Sequence, residues 1–362
     1  MFTYAIVLIS CSLFLLGAYV CTHDQHRQIP YFCVFVLTLF SALRGYVGTD
    51  TYSYHLMFLD NSTENISNIA SSVEPFFALW IKIFSLITDS SFIFIASISV
   101  IQGALLTKLV ATSKKPAIFL LVYIALFYIN FQFNILRAGT AILLLVLANR
   151  ISDENANQKK FYFFGITAVL IHYSAAIGLL PMLFIMQKNR NARFLAVILI
   201  SVVLVFAYYF LIGNEALYGK YVVYSVELSS DISDATNKSF VFSLPIYILL
   251  YASVVEKRNF LKVTLFFLVW FILRWATTFF VLVSRAEVVV NALLLFFVIE
   301  HVSTGWRNKV RNIALVGLVV MWLYGTLMVL QDDDSTVSGS IALDENHLMS
   351  PFNPYKFFWE EK

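Results

Sequence analysis

Long apolar runs constrain this chain more than any other feature. Residues 2–21 carry no charged side chain, and comparable runs recur at 30–43, 74–88, 91–110, 116–132, 134–149, 161–186, 194–213, 240–255, 260–283, 286–301 and 311–330. A helix needs about 20 apolar residues to cross the hydrocarbon core of a bilayer. In lipid the backbone must satisfy its own hydrogen bonds, which leaves helices or closed barrels. Barrel strands would appear as short alternating segments, and none are visible. The expected fold class is all-α: a polytopic integral membrane protein of about 10–12 transmembrane helices, some of them re-entrant. Composition agrees. The 362 residues are 60% hydrophobic and only 13% charged, against about 25% charged in soluble domains. Mean hydropathy is +0.78. A net charge of +3 argues against a nucleic-acid partner.

The runs suggest one transmembrane domain over 1–330 and a polar C-terminal tail over 331–362. Run 2–21 lacks a basic leader and a small-residue cleavage site, so it reads as a retained helix. Cys11, Cys21 and Cys33 lie in or beside the first two runs and make neither a disulfide framework nor a metal site. Basic loops face the cytoplasm. These are Lys114–Lys115, Arg150 with Lys159–Lys160, Lys188–Arg190–Arg193, Lys257–Arg258–Lys262 and Arg307–Lys309–Arg311. The more acidic connections 44–73 and 214–239 then fall outside. The alternation fails at two places. Run 161–186 separates two basic clusters, and run 74–88 contains Lys82. Either these runs are broken or re-entrant helices beside a buried or wet cavity, or one basic loop lies on the wrong side. No internal repeat is apparent, which counts against an inverted-repeat transporter. The acidic run 332–334 reads as a solvated linker.

Ionisable groups inside membrane helices are costly and mark function. Here they are Lys82, Arg137, His172, Arg274, Arg285 and Glu287, with Arg44 at the outer end of run 30–43. Arginine suits phosphate, because its planar fork gives two parallel hydrogen bonds and stays charged. Arginines that outnumber nearby carboxylates suggest an anionic ligand such as a polyprenyl pyrophosphate sugar donor. The plainer alternative is that Arg44, Arg137, Arg285 and Lys82 snorkel to headgroups. Asn134 precedes Arg137 by three residues, which would put both on one helix face. Arg274 and Arg285 would share a face about 16 Å apart on a continuous helix, unless the helix breaks near Ser284. His172 is either a packed helix–helix hydrogen bonder or a general base. Tyr52 and Tyr54 are either interfacial aromatics or platforms for sugar rings. Walker A, HExxH and GxGxxG motifs are missing, as is a DxD pair for a nucleotide sugar.

In order along the chain, "LRGYVGTDTYSYHLMF" at 43–58, "EPFFALW" at 74–80, "FNILRAGTAILLLVLA" at 133–148, "IHYSA" at 171–175, "SRAEVVVNALLLFFV" at 284–298 and "NPYKFFW" at 353–359 resemble the motifs of EpsG-like and Wzy-type polysaccharide polymerases. Two positions depart from that pattern: Ala138 stands where glutamine follows the helix arginine, and the stretch after Arg285 lacks a tyrosine. The resemblance implies a glycosyltransferase of O-antigen or exopolysaccharide (lipopolysaccharide-type) assembly in the bacterial inner membrane, working at the periplasmic face. It would join undecaprenyl-pyrophosphate-linked repeat units without metal, nucleotide or other cofactor. Its expected partners are the lipid-linked glycan, the bilayer and a chain-length regulator. Arg44, Arg137, Arg274 and Arg285 would bind pyrophosphate, Tyr52 and Tyr54 would meet glycan hydroxyls, and Asn134 would contact the pyrophosphate or the glycan. His172 is the first candidate base and Asp50 the second. A lipid-linked oligosaccharide flippase and an O-antigen ligase are the competing functions.

Overall fold

The computed structural model describes residues 2–20, 28–48, 50–155, 158–186, 231–254, 260–277, 283–300 and 306–331. Among them every regular element is helical. The expected run 194–213, most of the loop 214–239 and the tail after Gln331 lie outside the described residues. The described residues fall into two compact units, one within Met1–Tyr173 with Val319–Lys362 and the other within Ser174–Leu318.

The first unit opens with α1 (Phe2–Val20) and α2 (Ile29–Ala42). Three shorter helices follow: α3 (Thr51–Ser62), α4 (Ile66–Ser72) and α5 (Pro75–Ser85). Then come α6 (Ser91–Thr112), α7 (Pro116–Leu126), a π-helical turn at Asn130–Asn134, α8 (Leu136–Asn155) and α9 (Gln158–Ile171). Proline opens α2, α5 and α7. Its fixed φ suits the first helical turn, where its missing N–H would have had no partner. α2 packs on α6, α6 on α8 and α8 on α9, while α1 lies against α2 and α7. α3, α4 and α5 share a small core with α6, in which Phe58 stacks on Phe94 at 4.8 Å and Phe77 meets Phe94 edge-on at 5.6 Å.

The second unit holds α10 (Ala175–Met186), α11 (Asp231–Val254), α12 (Phe260–Ala276), α13 (Val283–Glu300) and the start of α14 (Trp306–Gln331). α12 packs on α13, with α10 against both and α11 on α12. Trp270 donates its indole N–H to the buried Glu287 at 3.1 Å, and Tyr247 stacks on Trp270 at 3.8 Å.

Several expected boundaries move. α11 already begins at Asp231, so the last part of the expected loop 214–239 is helical. Arg150 is not a loop residue. It lies buried in α8, donating to the Leu109 carbonyl and to Thr112 Oγ1 at 3.1 Å, with its guanidinium over Phe119. An arginine there satisfies a carbonyl and a hydroxyl at the C-terminal end of α6, where a cation is favoured. Arg311 is likewise buried within α14, beside the Asn308 and Asn312 side chains.

α6 has 22 residues and is the one described helix that is both long and apolar enough to cross a membrane alone. Run 74–88 yields α5, whose 11 residues rise about 16 Å, half of a hydrocarbon core about 30 Å thick. Lys82 on α5 is held by protein groups. It reaches the carbonyls of Ser62 (3.4 Å) and Glu64 (3.0 Å) at the end of α3. Run 161–186 is not one helix either, because it breaks after Ile171 and resumes at Ala175.

Outward faces are as apolar as the core. Phe32, Phe35 and Leu39 of α2, Phe163, Ile166 and Leu170 of α9, and Ile313, Val316 and Val320 of α14 are all exposed at three- and four-residue spacing. Contiguous apolar stripes of this kind are unusual on soluble monomers and mark contact surfaces with protein or lipid.

Candidate active site

Two backbone breaks shape the first unit's polar centre. The first follows α2. Gly48 takes φ +108°, which side chains rarely tolerate, and a Cβ there would collide with the Phe133 carbonyl. The turn therefore presses against the π-helical turn. Thr51 Oγ1 secures the contact by donating to Val47 O (2.6 Å) or Phe133 O (3.2 Å). Arg44 secures it further. It is 1% exposed, donates to Ser41 O at 3.2 Å and to Gln132 O, and lies over the Phe133 ring at 4.9 Å. Arg44 is thus buried among protein groups, where it joins the two turns.

The second break is Ile135, whose φ of −99° and ψ of 60° end the π-helical turn. Asn134 and Arg137 are therefore not neighbours on one continuous helix, as their spacing suggested. Asn134 bonds back to Asn130 at 3.3 Å, whereas Arg137 opens the first turn of α8. Gln102 of α6 fixes this break from the side. It is fully buried, and its Nε2 lies 3.1 Å from Phe131 O, 2.9 Å from Leu136 O and 3.0 Å from Thr140 Oγ1.

Arg137 extends over the rings of Tyr54 (5.7 Å) and Phe77 (5.2 Å). Its backbone N–H, one of the N–H groups a helix start leaves unpaired, points to Tyr54 Oη at 3.4 Å. Its Nη1 forms an ion pair with Glu74 Oε2. Glu74 precedes Pro75, so it takes an extended conformation (φ −62°, ψ 143°). The side chain makes no capping bond to its own helix. It is turned inward and 6% exposed. Its second oxygen, Oε1, accepts a hydrogen bond from His172 Nδ1 at 2.7 Å. His172 stands just past the end of α9, where its backbone N–H still bonds Ala168 O at 2.9 Å.

One carboxylate thus bridges a guanidinium and an imidazole. A carboxylate only accepts, so Nδ1 is the donor to Glu74, and in the neutral tautomer that this contact selects the free lone pair is on Nε2. Nε2 is buried and has no hydrogen-bond partner among the described residues, and the same holds for Arg137 Nε. An oriented imidazole with a vacant basic nitrogen, beside an arginine on an aromatic shelf, can take a proton and steady an anion.

The structure therefore brings together His172, Arg137 and Tyr54 of the expected residues. Tyr52 lies instead in a half-buried aromatic group, edge-on to Tyr46 at 5.6 Å and stacked with His55 at 5.8 Å. Burial pushes the His55 pKa down against the weaker opposing pull of Asp60. That keeps its ring neutral for hydrogen bonds with Ser91 and Tyr46. Asp50 precedes α3, its carbonyl accepting the Tyr54 N–H at 3.0 Å. Arg274 and Arg285 belong to the second unit. They do not share a helix: Arg274 is in the last turn of α12, and Arg285 is exposed in the first turn of α13. Sequence reasoning gave Glu74 no functional role. The one available signal was a carboxylate directly before a helix-opening proline.

No curated protein and no solved structure matches the chain significantly. A family model does match, and it spans all three bridged residues. Since that match runs over residues 27–356, nearly the whole length, the chain belongs to the EpsG family.

Proposed function

We propose that this protein is a polytopic membrane glycosyltransferase that polymerises lipid-linked oligosaccharide repeat units. Membership of the EpsG family supports a polysaccharide polymerase role in general. The apolar stripes on α2, α9 and α14 support a membrane setting. The observation that carries the chemistry is the Glu74 carboxylate bonded to both His172 and Arg137.

In the proposed reaction the donor is a glycan on undecaprenyl pyrophosphate and the acceptor is a sugar hydroxyl of a second lipid-linked unit. The acceptor oxygen attacks the anomeric carbon and forms the new glycosidic bond. The bond from that carbon to the pyrophosphate oxygen breaks, and its electron pair leaves with the diphosphate. The hydroxyl proton passes to His172 Nε2. Glu74 holds the ring by Nδ1 and stabilises the imidazolium that forms. Arg137 steadies charge growing on the diphosphate. Tyr54 and Phe77 hold the guanidinium in place. The reaction takes place at the periplasmic face of a bacterial inner membrane, the side to which the 44–73 connection is assigned. Arg44 acts as a scaffold here.

Lipopolysaccharide or exopolysaccharide gels of cells carrying single substitutions test this. His172→Ala and Arg137→Ala should each collapse the long-chain ladder to single repeat units, with the protein still present in membranes. A normal ladder from either variant overturns that residue's role. Loss of every repeat unit from the surface would instead indicate a flippase.

A further inference from the structure

The proposed reaction leaves one feature of the first unit unused. Beside Arg137 lies a half-open cavity of about 170 Å³. Its lining includes Phe76 and Trp80 of α5, Ile101 and Leu105 of α6, Leu144 of α8 and Ile171 of α9. Trp80 already donates its indole N–H to Ser97 at 3.0 Å. Thr140 and Thr167 also line it, but their hydroxyls donate to the Leu136 and Phe163 carbonyls at 2.8 and 2.7 Å, so apart from Arg137 the wall is apolar in character.

That chemistry selects the occupant. A sugar hydroxyl buried here, away from Arg137, would lose its hydrogen bonds to water and find little to replace them. Water needs several polar partners, and the wall away from Arg137 has only two threonine hydroxyls already bonded to carbonyls. Enclosing pockets for drug-sized ligands run to roughly 300–1,000 Å³, so this one fits a segment of a hydrocarbon chain. The charge at its edge is cationic. Arg137 belongs to the lining, and its guanidinium rests on Phe77, another lining residue. Two of the helices that line the cavity also carry exposed apolar residues, Leu79 and Ile83 on α5 and Ile166 and Leu170 on α9. A chain could therefore continue outward without meeting water.

We infer that this cavity binds the phosphate-proximal isoprene units of an anionic polyisoprenoid lipid, with its phosphate at Arg137. The choice of an isoprenoid over a phospholipid tail rests on the proposed function. The groove then fixes the donor by its carrier and leaves the glycan unconstrained on the far side of the diphosphate.

Binding of undecaprenyl phosphate to the purified full-length chain in nanodiscs provides the test, independent of catalysis. Ile101→Trp and Leu105→Trp fill the cavity and should weaken binding at least about tenfold, since each buried CH₂ lost is worth about 0.8 kcal/mol. Excess phosphatidylglycerol should not displace the probe. A photoreactive undecaprenyl phosphate should label wild-type α6 and α8 around Leu105 and Leu144, which decides the matter if a tryptophan variant fails to fold. Unchanged affinity in folded tryptophan variants overturns the inference, as does labelling elsewhere or equal displacement by phosphatidylglycerol. Binding at the groove by a protein that does not polymerise would sink the proposed function and leave the groove standing. Polymerisation with no groove binding would do the reverse.

Discussion

At the scale of single residues, Glu74 has two oxygens and both are engaged. Replacing it with glutamine keeps the shape but removes the charge that pairs with Arg137 and steadies His172. Breaking a buried pair from one side costs about 3–5 kcal/mol, so Glu74→Gln should lower thermal stability measurably. It should also reduce the polymerisation rate on the order of 10²–10⁴-fold, the scale of a general-base contribution. Assay of purified protein on lipid-linked repeat units checks this, and a near-normal rate would remove Glu74 from the mechanism. His172 and Arg137 could be picked out from the sequence because a charge or imidazole within an apolar run is conspicuous. Glu74 could not. A glutamate before a proline reads as a helix start, and its two partners lie 63 and 98 residues away in sequence. Arg44 was equally conspicuous, yet its burial against two carbonyls depends on a fold that brings residues 88 positions apart together.

At the scale of elements, the site depends on helices that stop early. α9 ends where His172 interrupts a run otherwise apolar enough to continue, and this break was legible as a conflict in loop charge. The two glycines of "LRGYVGTD", Gly45 and Gly48, are likewise a visible turn signal after α2. The π-helical turn before α8 left no comparable trace, since "NFQFN" has neither glycine nor proline. What holds it is Gln102, from another helix. Gln102→Leu would fill similar space but leave the Phe131 and Leu136 carbonyls without that donor. Each unmet buried group costs about 1–3 kcal/mol. The variant should therefore unfold at lower temperature and lose activity through misplacement of Arg137, as a thermal melt and a polymerisation assay on the same sample would record. Unchanged behaviour in both would mean the turn is held by other contacts.

At the scale of the whole molecule, the apolar runs announced an all-helical protein but overstated how uniformly those runs become long helices. Run 116–132 contains α7, only 11 residues long, and run 74–88 becomes α5. Periodicity could not reveal this, because helices apolar on every side carry little information about where they bend. α6 gives the sharpest prediction at this scale. If it crosses the bilayer, cysteines placed at Asp89 and at Lys114, just beyond its two ends, will be labelled by an impermeant maleimide from opposite sides of the membrane. Labelling of both from one side would refute the crossing.

The exposed stripes on α2, α9 and α14 have a consequence for every measurement on the isolated protein. Phe35, Phe163 and Ile313 touch whatever surrounds the chain rather than the chain itself. Anything that binds the folded form adds its own free energy to the apparent stability. A melting temperature recorded in one detergent is therefore a property of the protein–amphiphile particle. Two mutants can be compared only within the same shell of lipid or surfactant.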